Sequence, residues 1–284
     1  MAVEGTVLEF ASLTYGHVWV SDEITFAAGP ANIDHDLGVQ PDFVVAICLD
    51  NQDAGIDLTC VVESGNEANG ITLTNAGGAT ATGVILAFFS SRGSVTSPTS
   101  GNVYELASRS IAQVYISDEK ACANGATTFD HETGRDLLFA IPICVDSADG
   151  DFDLSIAETN TSRLTVTQGA ATTVGVQVLA FFGPPGSAAL AGNSVEGTVI
   201  DIASLTLGYI FSSDESVDIA SGNEDLDHEI VRVPKMGVPI VQETGGGGSD
   251  DFDLSISLAT LTTKITDAAA DTCKAKALVF FGTP

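Results

Sequence analysis

His17-Val-Trp-Val-Ser-Asp-Glu23 runs a short alternating apolar segment into a polar stop, and a second mark, Asp34-His35, follows it. Both marks return as Tyr115-Ile-Ser-Asp-Glu119 with Asp130-His131, and again as Phe211-Ser-Ser-Asp-Glu215 with Asp227-His228. Ser21, Ser117 and Ser213 are 96 residues apart, and the Asp-His marks are 96 and 97 apart. Solenoid repeats of about 20 to 50 residues cannot fold singly, whereas a unit of about 100 can enclose its own core. The period therefore predicts one domain written three times: repeat 1 over 1–90, a linker over 91–99, repeat 2 over 100–183, a linker over 184–194 and repeat 3 over 195–284.

Within a copy the apolar segments are short. Gly5-Thr-Val-Leu-Glu-Phe-Ala-Ser12 and His17–Ser21 alternate as half-buried strands do, and Phe43-Val-Val-Ala-Ile-Cys-Leu49 is a continuous run suited to a strand buried on both faces. Turn residues such as Ala27-Ala-Gly-Pro30 and Asn69-Gly70 separate about seven such segments. No apolar spacing of helical period competes with them. The expected fold is all-β: three tandem antiparallel β-sandwiches of about 96 residues, Ig-like or jelly-roll-like, strung as beads or closed into a pseudo-threefold ring.

Composition excludes several functions. Ten Lys plus Arg against 38 Asp plus Glu give a net charge of −28, which repels nucleic acid and anionic membranes. No run of about 18 apolar residues offers a membrane span, and Met1-Ala-Val-Glu-Gly-Thr-Val7 lacks the basic and apolar regions of a secretory signal, so synthesis and retention in a cytoplasm are expected. An acid-rich surface suits either high salt, where screening suppresses self-repulsion, or solubility combined with cation binding. The five cysteines show no C-x-x-C spacing, and Cys48 and Cys144 give way to Val241 in the third copy, the behaviour of a small core hydrophobe.

Three recurrent features could carry chemistry. Asp34-His35-Asp36, Asp130-His131-Glu132 and Asp227-His228-Glu229 flank each imidazole with carboxylates, which in a strand would share one face. The sharp reading is a metal site; the plain one is an Asp capping a turn beside a packed His. Asp149, Asp151 and Asp153, echoed by Asp251 and Asp253, alternate oxygen ligands as Ca2+ or another cation requires, although Leu154 and Asn160 stand where an EF-hand has Gly and Glu. The plain reading there is a solvated acidic turn. Trp19, Tyr115 and Phe211 keep one aromatic position, either core or a sugar-stacking platform, and Phe88-Phe89, Phe181-Phe182 and Phe280-Phe281 place one ring on each face of a strand. No nucleophile elbow supports a hydrolase.

At Gly38-Val-Gln-Pro-Asp-Phe-Val-Val-Ala-Ile47 and Gly83-Val-Ile-Leu-Ala-Phe-Phe89 the copy resembles repeat-bearing structural proteins of the virions of tailed viruses. The resemblance implies a non-enzymatic capsid decoration or turret protein, or a tail-associated one, located in the virion, with the major capsid protein or other virion proteins as partners. Self-association is a further expectation, and the acid-rich composition adds that of a virus of a salt-loving host. A carbohydrate-binding or adhesive sandwich array is the competing expectation.

Overall fold

The computed structural model describes residues 5–9, 17–51, 55–77, 80–90, 102–105, 111–148, 151–185, 196–201, 207–213, 219–220, 222–228, 230–244, 251–269 and 272–282. All regular structure among them is strand. The first copy holds β1 (Gly5–Glu9), β2 (His17–Val20), β3 (Ile24–Phe26), β4 (Gly29–Asp34), β5 (Phe43–Asn51), β6 (Leu58–Val62), β7 (Gly70–Asn75) and β8 (Ala81–Phe89). The second holds β9 (Asn102–Glu105), β10 (Gln113–Ser117), β11 (Lys120–Cys122), β12 (Gly125–Asp130), β13 (Arg135–Ser147), β14 (Phe152–Asn160), β15 (Arg163–Gln168) and β16 (Val174–Pro185). The third holds β17 (Gly197–Asp201), β18 (Leu207–Ser213), β19 (Ile219–Ala220), β20 (Asn223–Asp227), β21 (Pro234–Thr244), β22 (Phe252–Leu258), β23 (Thr262–Asp267) and β24 (Thr272–Gly282).

Each copy is a two-layered antiparallel sandwich. In the first, β2, β8 and β5 form the main sheet with β3 extending β2, and β4, β7 and β6 form the second sheet. The earlier strands of the copy thus zip against its last two, β2 and β5 on β8, and β4 and β6 on β7. That is jelly-roll winding, not the immunoglobulin arrangement. The linkers expected at 91–99 and 184–194 lie outside the described residues, apart from the end of β16.

The leading strands depart from the expected self-contained units. Each pairs outside its own copy: β9 on β2, β17 on β10, and β1 on β18. Second pads first, third pads second and first pads third, so the exchange closes on itself. A further set of contacts runs the same way round. Phe152 pairs Asn51, Phe252 pairs Ser147, and Thr244 donates its backbone N–H to Ile56 O at 3.0 Å.

The long strands β5, β13 and β21 also touch one another pairwise. Their alternate residues therefore serve two cores. Val45, Ile47, Ile141, Ile143, Val238 and Ile240 meet Phe88, Phe181 and Phe280 in one cluster shared by all three copies. Val44, Ala46, Cys48, Phe89, Phe182 and Phe281 turn the other way, into the sandwiches. The double-phenylalanine marks thus split as opposite strand faces require, and Phe181 lies edge-on to Phe280 across copies with ring centroids 6.5 Å apart.

Candidate functional site

The recurrent serine holds the backbone together. Ser21 Oγ accepts the N–H of Ile85 at 2.9 Å, Ser117 Oγ that of Val178 at 2.7 Å, and Ser213 Oγ that of Ala277 at 2.8 Å. Here the second strand of each copy stops pairing with the last, and the hydroxyl supplies the missing acceptor to a buried N–H. Asp214 and Glu215 lie outside the described residues.

The histidine mark is a turn, not a strand. Asp36 and Glu132 adopt φ of 54° and 50°, in the left-handed region, which turns the chain back after His35 and His131. Each imidazole is buried, and its Nδ1 accepts the backbone N–H two residues on: Leu37 at 3.3 Å, Thr133 at 3.3 Å and Ile230 at 3.2 Å. The rings pack between aromatics of the two main strands: His35 with Trp19 and Phe89, His131 with Tyr115 and Phe182, and His228 with Phe211 and Phe281. Burial lowers His35 and His131 to about 4 against weak opposition from the flanking carboxylates, and also lowers His228. Of the flanking acids, Asp130 forms a two-pronged ion pair with Arg163 (2.5 and 3.3 Å), which holds its carboxyl below the usual range. Asp34 accepts a bond from Asn66 at 3.4 Å, and Asp227 ends β20.

The acidic repeat lies at the junctions between copies. A β-bulge recurs after Cys48, Cys144 and Val241, and it presents Asp50, Asp146 and Glu243 to the neighbouring copy. Opposite them stand Asp153, Asp253 and Asp57, so that each junction pairs two acids. Across from the bulge in the second copy stands Gly175, where a Cβ would come 2.5 Å from Glu119 Oε1 and 2.7 Å from Asp146 Cβ, whereas Thr82 and Lys274 hold that place in the other two copies. Burial, then Asp253 and Asp251, raise the Asp146 carboxyl; burial, then Asp146 and Asp253, raise Glu119. Asp153 and Asp253 sit in strands β14 and β22, with their backbone N–H groups held by Gln168 Oε1 at 2.9 Å and Asp267 Oδ1 at 3.0 Å. Asp151 and Asp251 immediately precede those strands, and Asp149 lies outside the described residues. Among the described residues no three His, Cys, Asp or Glu side chains are grouped closely enough to hold a metal ion.

Trp19, Tyr115 and Phe211 are each fully buried, so none offers a face to a sugar ring. All five thiols are buried and unpaired. What the sequence did not disclose is a cleft of about 290 Å3 between the first and second copies, lined by Leu49, Val84, Ala140, Pro142 and Ile156 with Ser21, Ser155 and Glu23 at its polar edge. Its position depends on which copies touch, and no local pattern records that.

Among the described residues no helix is long and apolar enough to cross a membrane. Family models, curated proteins and solved structures were each compared with the chain, and none matches it.

Proposed function

We propose that this chain is a non-enzymatic structural protein of a virion, a built-in trimer that seats on the major capsid protein as a head decoration or turret. The observation that carries this reading is the cyclic exchange of β1, β9 and β17, which gives one polypeptide the closed symmetry of a homotrimer. Such a body suits a threefold or quasi-threefold position on a lattice. The recurrent polar residues support the same reading: the serines and histidines are taken up by backbone bonds and ring packing. The paired junction acids fit an environment of high ionic strength, where their repulsion is screened.

The burial of Trp19, Tyr115 and Phe211 removes the platform on which the adhesive alternative depends. The deciding experiment is mass spectrometry of purified virus particles from the source culture, counting copies of this chain per major capsid subunit. Stoichiometric recovery with heads is expected. Recovery with isolated tails would move the protein to a tail position, and recovery only in cell-surface fractions would overturn the proposal.

A further inference from the structure

The three junctions between copies are built from equivalent residues, and their differences mark out a ligand. Val84, Gln177 and Lys276 occupy one position, since each stands opposite the same residue of the long strand: Ile47, Ile143 and Ile240. Leu49, Val145 and Gln242 occupy a second, immediately after Cys48, Cys144 and Val241. Ile156, Ile256 and Cys60 occupy a third, on the strand contributed by the neighbouring copy.

Where the third copy meets the first, the chain fills this space with its own nitrogen donors. Gln242 Nε2 donates to Ala46 O at 3.1 Å. Lys276, partly buried, lies close enough to Cys60 for its ammonium to oppose the burial that pushes that thiol up to about 12. Where the second meets the third, the space is closed by packing. Gly237 leaves room that Ile256 and Leu258 occupy, their methyls 3.0 and 3.2 Å from where a Cβ would stand, and Gln177 Nε2 donates to Ser117 O at 3.1 Å.

Where the first meets the second, neither device is present. Ala140 stands at the position of Gly237, and Val84 and Leu49 replace the lysine and glutamine, which leaves the open cleft. One acceptor in it is fixed by the fold. Pro142 pairs with Val178, whose N–H is spent on Ser117 Oγ, so this is a non-hydrogen-bonded pair and the Pro142 carbonyl points away from β16, as Ala46 O does toward Gln242. The missing N–H of proline costs nothing on that side, because among the described residues no strand pairs with Pro142 there. The exposed Glu23 carboxylate adds a negative charge at the rim.

We propose that this cleft binds a primary alkylammonium group, with its methylenes between Leu49, Val84 and Ile156 and its N–H donors on the Pro142 carbonyl and the Glu23 carboxylate. The bound group takes the place that Lys276 and Gln242 take at the third-to-first junction. A volume of 290 Å3 is at the lower end of ligand pockets, which start near ~300 Å3, and suits one flexible chain with a charged head. Among the described residues the cleft stands at one junction of the three, so one ligand per chain is expected. The inference stands apart from the virion reading and does not need it.

The test is methyl NMR of the full chain titrated with n-butylammonium chloride at fixed ionic strength, with n-butanol as the neutral probe of equal length. Saturable shifts confined to Leu49, Val84, Ile141 and Ile156 are expected, with butanol about tenfold weaker or more. Glu23→Gln, an exposed change that leaves the fold intact, should weaken butylammonium about three- to tenfold. Val84→Lys plants the third-copy residue in the cleft and should abolish binding. Nα-acetyl-lysine methylamide separates the sources of the amine. Binding equal to butylammonium assigns the site to a lysine side chain presented by a partner, and its exclusion assigns the site to a free amine. Equal response to butanol and butylammonium, or shifts scattered over the acidic surface and unchanged by Glu23→Gln, would overturn the proposal.

Discussion

Ser117 Oγ accepts the backbone N–H of Val178 at 2.7 Å inside the sheet, and both residues are buried. Ser117→Ala leaves that donor buried without its acceptor, at a cost of about 1–3 kcal/mol. The same substitution at Ser21 or Ser213 should cost a similar amount, because the geometry repeats. Urea unfolding of the three single variants checks this; a cost below about 0.5 kcal/mol at all three would show that the hydroxyl is replaceable.

His35 and His131 bind protons less readily in the folded chain than in the unfolded one, at about 4 against an ordinary 6.5. A depressed histidine contributes stability that is complete above pH 6.5 and is lost as the pH falls through 6.5 toward 4, where the folded rings also protonate. The loss amounts to about 3 kcal/mol per ring. Glu119 and Asp146, whose carboxyls are raised, act in the opposite sense and return stability as the pH falls. The urea midpoint should therefore decline between pH 6.5 and 5, and His131→Leu should flatten the decline. The imidazole resonances of both residues should titrate near 4; titration of either near 6.5 would refute the assignment.

Much of this fold is legible in the chain, and the boundary of legibility is physical. The apolar run Phe43–Leu49 reveals a strand because burial on two faces selects that pattern. Alternation in His17–Ser21 also marks a strand, but β2 is buried on both faces and not on the expected one, because Val18 and Val20 join the cluster that the copies share. Phe181-Phe182 announces two cores because adjacent strand residues point oppositely. The exchange of β9 onto β2 is not legible. A strand's pattern states that it pairs but not with which copy, and a spacing of 96 residues is the same in a ring and in a row. At the histidine mark the plain reading, a packed ring beside a turn, describes what is there, and only the strand geometry with its shared carboxylate face fails, because the left-handed backbone at Asp36 and Glu132 makes the triplet a bend. The recurrence of Asp153 and Asp253 is legible but their pairing across copies is not, because Asp146 meets Asp253 only after the bulge has shifted its register.

Asp146 opposite Asp253 is a like-charged pair in partly buried surroundings, and such pairs destabilise a sheet. Salt screens them over about 3 Å at 1 M. The urea midpoint of the whole chain should rise from 0.1 to 1 M KCl on the order given by that screening, and Asp253→Asn should raise it at low salt while reducing the salt dependence. A midpoint independent of salt would remove the junction acids from any account of salt adaptation.

Val7 in β1 pairs with Phe211 in β18, which is the contact that closes the exchange between the first and third copies. Deleting residues 1–12 should bare the edge of β18 from Tyr209 to Ser213, and an exposed edge recruits other chains. Light scattering should then show concentration-dependent species larger than the intact protein, and a synthetic peptide of residues 3–12 added in excess should return the intact protein's size. A size unchanged by the deletion would mean that the cycle is held by the junctions alone.

Phe181 is fully buried, stacks on Phe139 at 4.4 Å and meets Phe280 of the next copy, whereas its neighbour Phe182 packs on His131 inside one sandwich. Both substitutions to alanine remove a large ring from a dry core, at about 3–5 kcal/mol each. They differ in where the damage is felt. A cavity beside Phe182 should lower hydrogen-exchange protection in β10, β13 and β16. A cavity at Phe181 should also lower it in β21 and β24, since the missing ring belongs to the cluster that the copies share. Exchange measured by mass spectrometry on the two variants separates them; loss confined to the second copy in Phe181→Ala would show that the three sandwiches stand independently and merely touch.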